Sequence, residues 1–184
     1  MKRGTTLFLK IAVIFIGIPV LALCLFLLPQ ITTEANEAAE RGSDIAYVVY
    51  GIVMIMYVST IPFYFALYQS FNLLSYIDKN QAFSELSVTA LKKIKKSALI
   101  MSGLYVLALP FVFILAEIDD APGLGLVGLV MIFAPFVIAV FAAVLQRLLQ
   151  EAIEIKSEND LMVWGENYGN YNQYRRDVGK KENQ

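Results

Sequence analysis

The 184-residue chain contains no histidine and a single cysteine, Cys24. Without histidine it lacks the commonest general base and the commonest metal ligand. One cysteine closes no intramolecular disulfide and anchors no metal cluster. Cys24 also lies inside an apolar run, where it reads as a small hydrophobe. Charge is scarce where transport would need it. The apolar runs 7–28, 45–68, 97–116 and 121–146 hold one charged residue between them, Lys10, near the start of the first. Ion- and proton-coupled carriers place ionisable groups deep in their spans, and no such group is available here. HExxH, GxSxG and GxxxxGK[ST] patterns are absent, as are paired carboxylates within a run. The sequence therefore predicts no enzyme, no cofactor and no metal.

What is present is hydrophobicity. The chain is 58% hydrophobic, with a mean hydropathy of +0.60, whereas a soluble domain sits near roughly 45–50% apolar. Each run is long enough to cross about 30 Å of hydrocarbon as a helix. The expected class is all-α: a polytopic membrane protein with four transmembrane helices, a cytoplasmic juxtamembrane helix and a flexible C-terminal tail. Residues 1–163 form the membrane domain in this reading. Residues 164–184, rich in Gly, Asn and Tyr without apolar periodicity, form a disordered tail. No small-x-small cleavage site follows the first run; Pro29-Gln30-Ile31 stands there instead. The reading is a retained helix that ends at Pro29, not a signal peptide. The polar connection 30–44 can open as a short helix.

The basic residues are strongly asymmetric. Of 15 Lys and Arg, all but Arg41 precede the first run, lie between the second and third, or follow the fourth; Lys10 sits at the rim. The positive-inside rule then puts both termini in the cytoplasm of a bacterial plasma membrane. The other two connections carry mostly acids, among them Glu34, Glu37 and Glu40. The net charge of −1 offers no footprint for direct nucleic-acid binding.

The inner connection is the best-patterned polar part. Asp78-Lys79-Asn80-Gln81 reads as a turn, and Ser84-Glu85 as a helix start with Ser87 replacing the Glu of a full capping box. The helix should place Val88, Leu91 and Ile94 on one face, Lys92, Lys93 and Lys96 on the other, and run into the third span. Its lysines either snorkel to anionic headgroups or form a basic docking face. Elsewhere, Pro19, Pro62, Pro110 and Pro135 are kink candidates, with the hydroxyls of Ser59 and Thr60 placed to satisfy a carbonyl freed near Val58. Gly125 and Gly128 predict close helix packing. Glu117-Ile118-Asp119-Asp120 lacks EF-hand spacing and reads as a solvated turn. After the fourth run, Glu158, Asn159, Asp160 and Leu161 suggest a turn followed by an extended segment. Those acids either clasp the lysine-rich helix or join it in a composite docking surface.

Two stretches carry a resemblance. Asp78–Glu85 followed by Ala90-Leu91-Lys92-Lys93-Ile94, and Glu158–Val163, resemble the inner loop and closing motif of an uncharacterised family of four-span bacterial integral membrane proteins, a domain of unknown function. The layout of that family corresponds to roughly Leu7–Val163. Met162 departs from it, since the family pattern has Thr there. Members are often encoded beside a small helix-turn-helix regulator, so the resemblance implies a cytoplasmic regulator as partner. The expected function is a non-enzymatic membrane sensor or interaction protein that binds such a regulator through Lys92, Lys93, Lys96, Glu158, Asn159, Asp160 and Leu161. The alternative is a small transporter, or an immunity-type protein against a membrane-active peptide.

Overall fold

The computed structural model describes residues 3–40, 45–79, 81–118 and 120–182. All regular structure in them is helical: α1 (Arg3–Ala22), a π-helical turn (Leu23–Leu27), α2 (Leu28–Glu40), α3 (Ile45–Asp78), α4 (Glu85–Ile118) and α5 (Pro122–Glu182). Four helices are long and apolar enough to span a membrane. Hydrocarbon offers no hydrogen-bond partners, so a crossing chain must satisfy its backbone internally. Two compact units result, Met1–Gln146 and Arg147–Gln184.

Pro29 does not end the first helix. It has no N–H to donate, and its ring would crowd the carbonyl four residues earlier. The chain widens just before it: in the π-helical turn the Leu28 N–H bonds to the Leu23 carbonyl, and the backbone stays helical into α2. The expected polar loop is thus helical through Glu40, and residues 41–44 lie outside the described part. The hydroxyls beside Pro62 also act differently than expected. Ser59 and Thr60 donate to the Met56 carbonyl, at 2.8 and 3.0 Å, and not to that of Val58. Their reach is back by three and four residues along their own helix.

The first unit is held by small residues. α3 and α4 form its largest interface, and α1 and α2 pack on α3. Its buried positions include Ala46, Ala90, Ala98, Ala108, Ala139 and Ala142, while Phe15 and Phe26 are 74% and 78% exposed. That inversion suits a bundle in lipid, where large apolar side chains lose nothing by facing outward and small ones let backbones approach. Gly51 faces the Phe111 ring so closely that an added Cβ would lie 2.9 Å from it. Gly125 and Gly128 meet Phe113 and Val112 of α4 in the same way, as their small size predicted.

The turns between spans are hydrogen-bonded. At the end of α4, Asp120 takes a left-handed conformation (φ 48°). The Ala121 N–H bonds to the Ala116 carbonyl (2.9 Å) and the Asp120 N–H to that of Glu117 (3.4 Å), a Schellman closure. Between α3 and α4, Gln81 is pinned from both sides. Its N–H bonds to the Tyr76 carbonyl at 2.9 Å, and its own carbonyl accepts the hydroxyls of Ser84 (2.7 Å) and Ser87 (3.1 Å). Ser84 was expected to cap the amides of α4 with its side chain. Its hydroxyl turns back to the loop instead, and its carbonyl takes the Ser87 and Val88 N–H groups. Helix and loop are thereby fastened to the same residue.

The second unit is the remainder of α5. The helix continues to Glu182 where composition pointed to an unstructured tail from 164 onward. No Pro follows Pro135, and Gly165, Gly169 and Gly179 weaken a helix without forcing it to end. Local contacts along this part include the Arg147–Glu151 ion pair at 3.2 Å and the Trp164–Tyr168 ring contact at 6.2 Å.

Glycine substitution separates close packing from mere composition. Gly51→Ala should lower the melting temperature in detergent, at a cost of about 1–3 kcal/mol from overpacking against Phe111. Gly103, whose added Cβ meets nothing within 4 Å, should tolerate alanine or gain about 0.5–1 kcal/mol. Equal effects at the two positions would show that the Gly51–Phe111 approach is not what holds α3 to α4.

Candidate functional site

Two parts of the first unit carry polar chemistry: the lysine-rich start of α4 and a cavity between the spans. At the start of α4, Val88, Leu91 and Ile94 are 4–8% exposed, whereas Lys92, Lys93 and Lys96 are exposed. The heptad-like stripe seats one face in the bundle and leaves three ammonium groups together on the other. Lys95, which the sequence reading passed over, behaves differently. It is half-buried, and its Nζ donates to Gln146 Oε1 at 2.9 Å, joining α4 to α5. Helical phase carried that signal: Lys95 follows Leu91 by one turn and so sits at the edge of the apolar stripe.

Glu158, Asn159, Asp160 and Leu161 belong to the second unit. They are helical, not a turn and extended segment, and all four are exposed, Leu161 to 70%. The structure thus groups the three lysines on one face in one unit and the four tail residues on one helix in the other.

A further ion pair at the same end of the bundle was not anticipated. Lys10 Nζ lies 2.5 Å from Asp78 Oδ2 and 5.5 Å from the centre of the Phe71 ring. It ties the beginning of α1 to the end of α3. Both side chains are about three-quarters buried (23% and 28% exposed), which explains why a charge is tolerated inside the first apolar run: it is paired and set over an aromatic face.

The cavity has a volume of about 540 Å³ and is walled by all four spans. Its lining is almost wholly hydrocarbon, including Ile16, Leu67, Met101 and Ile138. The polar exceptions converge from three directions. Cys24 comes from the π-helical turn, Ser59, Thr60 and Ser70 from α3, and Tyr105 from α4; the Ser70 hydroxyl donates to the Ala66 carbonyl at 2.9 Å. Cys24 Sγ is 3.3 Å from Thr60 Oγ1, and Ser59 Oγ is 3.4 Å from the Tyr105 hydroxyl. Because Ser59 and Thr60 spend their protons on Met56, the thiol and the phenol are the donors of these two contacts. The hydroxyls of the spans bond to helix carbonyls and to neighbouring helices, as their residue types suggest; Tyr64 donates to the Gly17 carbonyl at 2.9 Å. No Asp, Glu, Lys or Arg lines the cavity. Among the described residues no three acidic, Cys or His side chains converge as a metal site.

The Lys10–Asp78 pair is directly testable. Lys10→Met and Asp78→Asn should each destabilise the bundle, and the double variant should cost less than their sum by about 0.5–3 kcal/mol. Additive losses in detergent unfolding would show that the two groups do not interact.

Comparison with known proteins agrees with this architecture. A family model described as a protein of unknown function, DUF2975, matches residues 33–163. The match takes in both the Asp78–Ile94 loop and Glu158–Val163, but it begins in α2, so α1 lies outside it. An uncharacterized membrane protein of Bacillus subtilis (strain 168), YoaS, is 61% identical over 163 residues, covering 89% of this chain and 100% of that protein. No solved structure matches. With four membrane-length helices and a family match over most of its length, the chain belongs to the DUF2975 family of proteins of unknown function.

Proposed function

We propose that this membrane protein is a non-enzymatic tether that holds a small cytoplasmic DNA-binding regulator at the membrane. The observation that carries the reading is the start of α4. Lys92, Lys93 and Lys96 are exposed on a helix whose opposite face is buried and whose first turn is fastened to Gln81. A basic face held this firmly loses little conformational freedom on binding. The exposed acids and Leu161 of the second unit supply complementary chemistry for the same partner. The protein itself has no basic excess and would not touch DNA directly. The partner class comes from the family resemblance, not from the geometry.

The reading needs both termini in the cytoplasm. Lys10 meeting Asp78 supports this, because it gathers the start of α1 and the α3–α4 loop at one end of the bundle, where the lysines are. The single native cysteine makes the orientation measurable. In a Cys24→Ser background, Lys93→Cys should react with a membrane-impermeant maleimide only after permeabilisation, and Glu40→Cys should react in intact cells. The opposite pattern would place the lysines outside and end the proposal.

Capture is tested by crosslinking in intact cells, purification of the tagged full chain and mass spectrometry. A small DNA-binding protein should be recovered with the wild type. Recovery should fall at least about tenfold in Lys92→Glu/Lys93→Glu/Lys96→Glu and in Glu158→Ala/Asp160→Ala, equivalent to the loss of about 1.4 kcal/mol of binding. Recovery that is unchanged in both variants would remove this surface from consideration.

A second reading draws on α2. Its helical course puts Glu37 and Glu40 on one short exposed helix at the acidic end, a surface of the sign that attracts a cationic peptide. An immunity role predicts that deletion of the gene and Glu34→Gln/Glu37→Gln/Glu40→Gln raise sensitivity to a cationic membrane-active peptide equally.

A further inference from the structure

The cavity between the spans calls for an occupant. A partly enclosed space of about 540 Å³ is within the roughly 300–1,000 Å³ usual for small-molecule pockets and far larger than packing defects in ordinary interiors. Water suits it poorly. A buried water needs two to four polar partners, so the few polar groups of this lining could hold water only locally, against walls that are otherwise hydrocarbon. Ions do not suit it either, because no formal charge lines it and an unpaired charge in such surroundings is strongly disfavoured.

We infer that the cavity is a binding site for a neutral lipophile, a molecule with a long hydrocarbon body and one hydroxyl or carbonyl oxygen. The body fits the Ile, Leu, Met and Ala walls given by all four spans. The oxygen is recognised at one place. The Tyr105 hydroxyl retains a donor proton held only by a long 3.4 Å contact to Ser59, and a ligand oxygen can take it over. On the facing wall residue 135 is proline and lines the cavity together with Met131, so the Met131 carbonyl has no i→i+4 amide donor and is the candidate acceptor for a ligand hydroxyl. One wall is irregular at this site, the π-helical turn carrying Leu23, Cys24 and Leu27, and another carries Pro135 within the continuous helix α5. π-Helical turns are frequent at functional sites, and this one, set by Pro29, is part of the cavity wall. The site is independent of the tethering role and would stand if no regulator binds.

The test uses the purified full chain in nanodiscs of phosphatidylglycerol and phosphatidylethanolamine. The probe is a long-chain fatty alcohol carrying a diazirine; a diazirine-bearing alkane and a diazirine-bearing phosphatidylglycerol serve as comparisons. Labelling by the alcohol should saturate, be displaced by unlabelled alcohol and map to segments 16–28, 56–70, 94–105 and 131–138. Tyr105→Phe should weaken the apparent alcohol affinity by about three- to tenfold, the worth of one hydrogen bond, and leave alkane labelling unchanged. Ala134→Leu, which adds bulk to the wall, should reduce labelling by both. If Ala134→Leu fails to fold, Tyr105→Phe still decides. Labelling that never saturates, or that spreads over outward residues such as Phe15 and Phe141, would overturn the site. So would saturable labelling by phosphatidylglycerol that the alcohol fails to displace, because the occupant would then be an acyl chain of the bilayer.

Discussion

The backbone hydrogen bond in hydrocarbon governs this protein. Each unpaired amide or carbonyl at membrane depth is expensive, so the spans must be helical, and every proline in them raises a problem that has to be met locally. The responses differ. At Pro29 the helix widens into a π-helical turn. At Pro62 the Val58 carbonyl loses its amide donor, and the neighbouring hydroxyls of Ser59 and Thr60 go to the Met56 carbonyl instead. At Pro135 the carbonyl one turn back loses its amide donor beside the cavity. The same constraint makes the ends of spans matter, and the 6→1 bonds of Ala121 and Gln81 close α4 and α3.

A second consequence is that packing relies on size more than on hydrophobicity. Lipid tails are as apolar as Leu or Phe, so burying large side chains gains little and close approach gains more. Gly51 against Phe111, and Gly125 and Gly128 against α4, are the places where backbones come near enough to matter. Where approach is looser, between α1, α3, α4 and α5, the space becomes the cavity. Polar pairs then locate the helices: Lys10 with Asp78, Lys95 with Gln146, Tyr64 with the Gly17 carbonyl.

Much of this was legible in the residues. Runs of apolar residues with charged flanks mark four spans, because length and hydropathy are local properties. The two faces of the α4 start were equally plain, since Val88, Leu91 and Ile94 recur at helical spacing and Lys92, Lys93 and Lys96 fall off that stripe. Less visible were the course of the chain past Pro29 and past Trp164. A proline or a run of Gly, Asn and Tyr raises the odds of a break without forcing one. The segment Glu158–Leu161 looked like a turn because its side chains suit turns, yet no Pro or Gly interrupts the helix there.

What the sequence by itself determined is the all-helical membrane class, the number of spans and the sorting of charge to one end, each set by composition along the chain. Tertiary structure alone decided which polar groups meet. Lys10 and Asp78 are 68 residues apart, and Ser59 and Tyr105 are 46 apart. No pattern of spacing within one helix specifies how that helix is rotated against its neighbours. That rotation follows from the close approaches of small residues. It is what turns four separate apolar runs into one bundle with a basic face at its end and a hydrocarbon-lined chamber at its middle.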